Sequence, residues 1–236
     1  MIAPSPTADA VDPGKDRDAP YLPLLFVLTI VTGLVDAVSY LALGHVFVAN
    51  MTGNIVFLGF AVAGAPDFSI PASLLAIAGF LGGAFVGGRL AMRVGQNRSG
   101  FVAITMLIKV ALVGGAFLAA VMATVDSPTV RYALIVVLSL AMGLQNAAAR
   151  HLAVPDLTTT VLTLTLTGLA ADSKLAGGTG PRVGRRLLAT GAMFLGAAIG
   201  AFLVLRAGVG AVLLLVLTLL GLNAIAASRL WSRTPA

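Results

Sequence analysis

VANMTGNIVFLGFAVAG (residues 48–64) and TTTVLTLTLTGLAA (residues 158–171) decide the fold, because both are apolar yet shorter than the other apolar runs of the chain. A helix that crosses a hydrocarbon core of about 30 Å needs roughly 20 apolar residues. Six other runs approach or exceed that length, at roughly 21–43, 71–94, 101–124, 131–149, 185–206 and 208–228. Whether the two short runs cross or turn back sets the direction of every helix after them.

The fifteen basic residues arbitrate, since Lys and Arg near helix ends collect on the cytoplasmic side. If all eight runs cross, nine basic residues fall on the cytoplasmic side and five (Arg89, Arg93, Arg98, Arg150 and Arg206) on the far side. If the short runs dip in and return, twelve are cytoplasmic, only Arg131 and Arg206 lie outside, and Lys109 is within the membrane. The stronger asymmetry favours six crossings, both termini cytoplasmic, and one re-entrant or broken segment entering from each side.

The composition admits few alternatives. Of the 236 residues 58% are hydrophobic and 10% charged, and all nine acids are Asp, which leaves no shell for a water-facing surface. Continuous rather than alternating apolarity excludes a transmembrane β-barrel. Basic residues stand singly or in short loops, so the net charge of +6 reflects topology and not a nucleic-acid partner. With no Cys, thiolate chemistry and disulfides are absent, and His45 and His151 lack a nearby carboxylate pattern, so neither a metal nor another cofactor is expected. Residues 1–20, rich in Pro and Asp, are expected to be a disordered cytoplasmic tail. A single membrane domain is expected over 21–229, and 230–236 as a second tail.

An offset of about 110 lays Gly33-Leu34-Val35-Asp36-Ala37 over Gly143-Leu144-Gln145-Asn146-Ala147. At nearly the same offset Thr52-Gly53-Asn54 meets Thr163-Leu164-Thr165, and Gly79, Gly83 and Gly87 meet Ala192, Gly196 and Gly200. The halves, about 21–125 and 131–229, would each hold three crossings and one short segment. An odd number of crossings makes such halves face opposite ways, an inverted-topology repeat of the kind that builds transporters. The expected fold is therefore all-α, with six transmembrane helices and two short re-entrant or broken helices.

The stretches TGLVDAVSYLALGHVFVANMTGN and MGLQNAAARHLAVPDLTTTVLTLTLTG resemble the YoaK family, bacterial multi-pass inner-membrane proteins of unknown function. The most specific parts are Gly33 to Tyr40, Asn50 to Asn54 and Gly143 to Ala149. The resemblance implies a bacterial inner-membrane location and names no substrate. Thr163-Leu164 stands where the family tends to carry a Thr-Gly pair.

Polar residues inside spans are costly and mark candidate sites. Asp36 lies deep in the first span, where it is either a coupling carboxylate or a buried acid bonded to a backbone break. Lys109 either pairs with Asp36, snorkels along its stem to the nearer face, or meets a substrate. Asn50, Thr52 and Asn54 suit capping of a helix that begins within the membrane or coordination of a solute. Thr160, Thr163 and Thr167 share one helical face, as a polar path or as hydroxyls bonding their own backbone. Gln145 and Asn146 would join Asp36 around a midplane site where the two short segments meet. Two functions follow: a secondary transporter or channel for a small polar solute, or a non-transporting membrane protein that engages lipid or a partner, with a homo-oligomer compatible with both. Without Cys, Glu or a local Ser-His pattern, no enzyme is expected.

Overall fold

The computed structural model describes residues 18–154, 162–178 and 183–232, and every regular element in them is helical. After a single turn at Ala19–Tyr21 come α1 (Leu22–Ala42), α2 (Met51–Val62), α3 (Ile70–Val94), α4 (Arg98–Met122), α5 (Pro128–Leu152), α6 (Leu162–Ala171) and α7 (Val183–Ser232). Most of the expected N-terminal tail lies outside the described residues, whereas part of the expected C-terminal tail is the last turn of α7. Local chemistry sets the starts: Ser69 Oγ accepts the Ala72 N–H at 3.3 Å, and Asn97 Oδ1 accepts that of Gly100 at 2.9 Å.

Among the described residues five helical elements are long and apolar enough to cross a membrane. The last of these, 50 residues long, is two helices joined at Gly208, so the C-terminal runs expected as separate spans meet there without a linker. There φ is 81° and ψ 178°, a region open to glycine alone. The arms, 183–207 and 209–232, run in opposite directions. Gly196 packs on Ile30 and Gly200 on Leu34 and Ala37, so the first arm is parallel to α1. Asn223 then meets Leu24, Leu217 meets Gly114 and Trp231 meets Gly100, so the second arm is antiparallel to both α1 and α4.

The segment between α1 and α3 leaves and rejoins the bundle at one end. Its turn, with positive φ at Gly44 and His45, lies beside Arg131 of α5. From there the chain descends until the Ala49 N–H reaches Asp36, six residues or about 9 Å below the last residue of α1. α2 climbs back, and Asp67 and Phe68 return to His45, whose Nδ1 lies 3.0 Å from the Asp67 carbonyl. At the opposite end, Arg98 binds Asp18 at 3.0 Å and the Leu152 carbonyl at 2.8 Å, while Asp172, just after α6, pairs with Arg186 of α7 at 2.7 Å.

Two interfaces hold the bundle: α1 against the first arm of α7, and α3 against α5. Lipid tails are as apolar as leucine, so such helices associate through close backbone approach and dispersion. A β-carbon on Gly33 would overlap the Met193 carbonyl, and one on Gly196 that of Ile30. In the other interface Gly143 meets Phe80 and Gly83 meets Leu140 in the same manner. Gly200 seats Leu34 and Ala37 as Gly87 seats Leu144 and Ala147.

Candidate functional site

Most hydroxyls in the spans are absorbed by their own helices: Thr29 donates to the Leu25 carbonyl at 3.0 Å, and Thr105 to that of Phe101 at 2.8 Å. Three other side chains form a layer across α1, α4 and α5. Lys109 of α4 is fully buried and donates to Gln145 Oε1 of α5. Gln145 Nε2 donates to Thr32 Oγ1 of α1 at 2.9 Å, and Thr32 donates in turn to the Leu28 carbonyl at 2.8 Å. The lysine neither snorkels to an interface nor pairs with Asp36. Among the described residues no carboxylate lies within ion-pair distance of it.

Among the described residues two gaps flank this layer. One is an apolar cleft lined by Tyr21, Leu24, Leu25 and Leu28 of the N-terminal segment, Val102 and Met106 of α4, and Ala148, Ala149 and Leu152 of α5. Leu28, Met106 and Ala149 each sit one helical turn from Thr32, Lys109 and Gln145. The other opens between α4 and α5 beyond the lysine, along Ala111, Leu112, Gly115, Ala116 and Ala119 facing Ala133, Leu134 and Val137. Leu112 is one turn from Lys109 on that side. Arg98 closes the outer end of the first cleft by standing over the Tyr21 ring, 5.2 Å from its centroid.

Asp36 is spent elsewhere. Its Oδ1 accepts the Ala49 N–H at 3.0 Å, the Val48 N–H is a second backbone donor, and neither gap touches it. The carboxylate thus satisfies amides that the descending loop leaves free at depth. Asn54, also buried, grips Phe47 through both peptide groups: Oδ1 accepts its N–H at 2.8 Å and Nδ2 donates to its carbonyl. Tyr40, Phe47, Phe57 and Phe68 stack around this turn.

Gln145 is the one expected site residue that joins the lysine layer. Asn146, its neighbour, is half-buried and donates to the Met142 carbonyl at 2.9 Å. Asn50 and Thr52 are exposed, and Asn50 precedes α2 without a side-chain cap. Thr160 lies outside the described residues, and Thr163 and Thr167 point outward, so the expected hydroxyl stripe does not line an interior path; the buried residue of α6 is Thr165. Among the described residues the two short helices pack on different neighbours, α2 on α3 and α6 on α7. Sequence reasoning missed Thr32 and Asn223. The latter is a buried amide in the second arm whose Nδ2 donates to the Leu24 carbonyl at 3.1 Å, leaving Oδ1 without a partner. An amide inside the apolar run 208–228 carries the same signal that singled out Lys109.

Comparison with known proteins places these features in a family. A profile described as "Protein of unknown function (DUF1275)" matches residues 24–226. The chain is similar to the UPF0700 transmembrane protein YoaK of Bacillus subtilis (strain 168), 38% identical over 152 residues, which is 63% of this chain and 65% of that protein. The match thus spans slightly less than two thirds of that relative's length. No solved structure matches. Apolar helices and this likeness together make the chain a multi-pass membrane protein.

Proposed function

We propose that this chain, which belongs to the DUF1275 family, is a secondary transporter or channel for a small polar solute, with the Lys109–Gln145–Thr32 layer as its barrier. The observation that carries the reading is a fully buried lysine bonded to a neutral amide between two gaps. Charges inside a membrane are rare and commonly mark ion or substrate pathways. The chain crosses the bilayer six times, counting the arms of α7 separately, and α2 and α6 are re-entrant helices entered from opposite faces. The return of Asp67 to His45 supports this for α2, and the pairing of Asp172 with Arg186 supports it for α6. The matched glycine contacts of α1 with α7 and of α5 with α3 support an inverted repeat. Both termini face the cytoplasm of a bacterial inner membrane, the side that then holds twelve of the fifteen basic residues.

The topology is tested by Gln96→Cys in this cysteine-free chain. A membrane-impermeant maleimide should label it only in opened cells, and labelling of intact cells overturns the six-crossing arrangement. Function is tested by reconstituting the full chain in vesicles and following solute entry. Entry should fall on Lys109→Met while the protein stays folded. A competing reading, a non-transporting protein held together by its polar residues, is favoured by the way Asp36 and Asn54 are consumed by the α1–α2 turn. Unchanged vesicle permeability for every solute tried would establish that reading instead.

A further inference from the structure

We infer that the solute is a small monovalent anion, held at Lys109 in exchange for part of the bond that Gln145 now supplies. This rests on the transport reading above and deepens it. A buried ammonium needs a compensating charge or a full set of acceptors. Lys109 has three N–H donors and a neutral amide oxygen on one of them. Among the described residues three acids are engaged elsewhere: Asp36 holds the Ala49 amide, Asp18 holds Arg98 and Asp172 holds Arg186. Asp67 and Asp126 follow or precede helices at the end of the bundle where α3 and α5 begin. Among the described residues no acid stands against Lys109, and an anion arriving there would supply the missing acceptor.

The approach selects the kind of anion. The cleft that ends one turn below Lys109 holds only about 10 Å³ and is apolar along Leu24, Leu28, Met106 and Ala149, so it has to widen for any ion and favours one that sheds its water easily. A weakly hydrated monovalent ion such as nitrate, or a short carboxylate, does this at least cost. A divalent, strongly hydrated ion such as sulfate is rejected. Cations are repelled by the lysine itself. The Lys109 ammonium supplies the donors for the ion, because the Gln145 amide already gives its N–H groups to Thr32 Oγ1 at 2.9 Å and to the Leu28 carbonyl at 3.4 Å.

The test uses full-length protein in vesicles, with swelling followed by light scattering. Nitrate is the probe, given as its potassium salt with a potassium ionophore to balance charge, and potassium sulfate and glycerol are the comparators. Nitrate should enter at least about tenfold faster than sulfate, and Lys109→Met should remove that advantage. Gln145→Glu gives the lysine a resident counter-ion and should abolish nitrate entry without unfolding the protein, which guards against a simple folding defect in the methionine variant. Glycerol entering as fast as nitrate, with both variants unaffected, overturns the anion assignment and leaves the transport reading standing. If neither nitrate, sulfate nor glycerol enters above empty vesicles, both fall together.

Discussion

The α1–α7 interface and the α3–α5 interface use the same small residues at the same relative positions, yet their polar residues do not match. Gly33 and Gly143, Gly196 and Gly83, and Gly200 and Gly87 make equivalent contacts. Where the first half has Thr32, Val35 and Asp36, the second has Met142, Gln145 and Asn146. Packing has been kept twice and charge once. Backbone contact tolerates no addition of atoms, so both copies stay fixed, whereas a polar group inside a membrane is expensive and persists only where it is used. The difference supports the proposed role of the lysine layer: the matched glycines serve packing in both interfaces, whereas Lys109, Gln145 and Thr32 have no polar counterpart in the other half.

The comparison breaks first at the glycines. Gly83→Val or Gly196→Val forces a side chain into a neighbouring carbonyl and should cost more than about 3 kcal/mol in either half, seen as loss of folded protein in a detergent denaturation series. Gly82→Val, with open space around it, should stay within about 0.5 kcal/mol. A marked inequality between the matched pair would show that the two interfaces are not equivalent. The polar layer comes next: Gln145→Leu strands the lysine and should cost about 1–3 kcal/mol. Adding Lys109→Met should recover part of it, a non-additivity that a double-mutant cycle reads directly. A smaller effect is expected at Asp36, where Ala should cost about 1–2 kcal/mol by freeing the Ala49 amide. Asn, which the second half carries at 146, keeps an acceptor and should cost under about 1 kcal/mol in the same denaturation series. The smallest contrast lies within α6: Thr165→Val should lower stability by about 1 kcal/mol, and Thr163→Val by less than about 0.5 kcal/mol.

Span length, the glycine ladders and the pairing of Gly33 with Gly143 were legible because each depends on residue size and spacing alone. The depth of Asp36 was legible too, but its engagement was not, since hydropathy cannot tell which backbone donors a returning loop will bring to it. The outward face of Thr163 and Thr167 is missed when that segment is read in isolation. The repeat already set Asn54 against Thr165, and those are the buried residues of α2 and α6. The lysine layer joins residues 32, 109 and 145, three helices brought together by the packing of the whole bundle, which no local pattern encodes. Asn223 escaped because an amide carries no formal charge and stands out less among leucines than a lysine does.

Gly208 has a consequence for how the protein is made. A straight helix of 50 residues would be about 75 Å long, more than twice the thickness of the hydrocarbon that must receive it. The nascent chain therefore reaches the translocon with almost no hydrophilic linker to mark where one arm stops and the next begins. Reversal at one glycine makes the two arms a hairpin, a shape that lets the 50 residues of α7 partition into lipid as a pair.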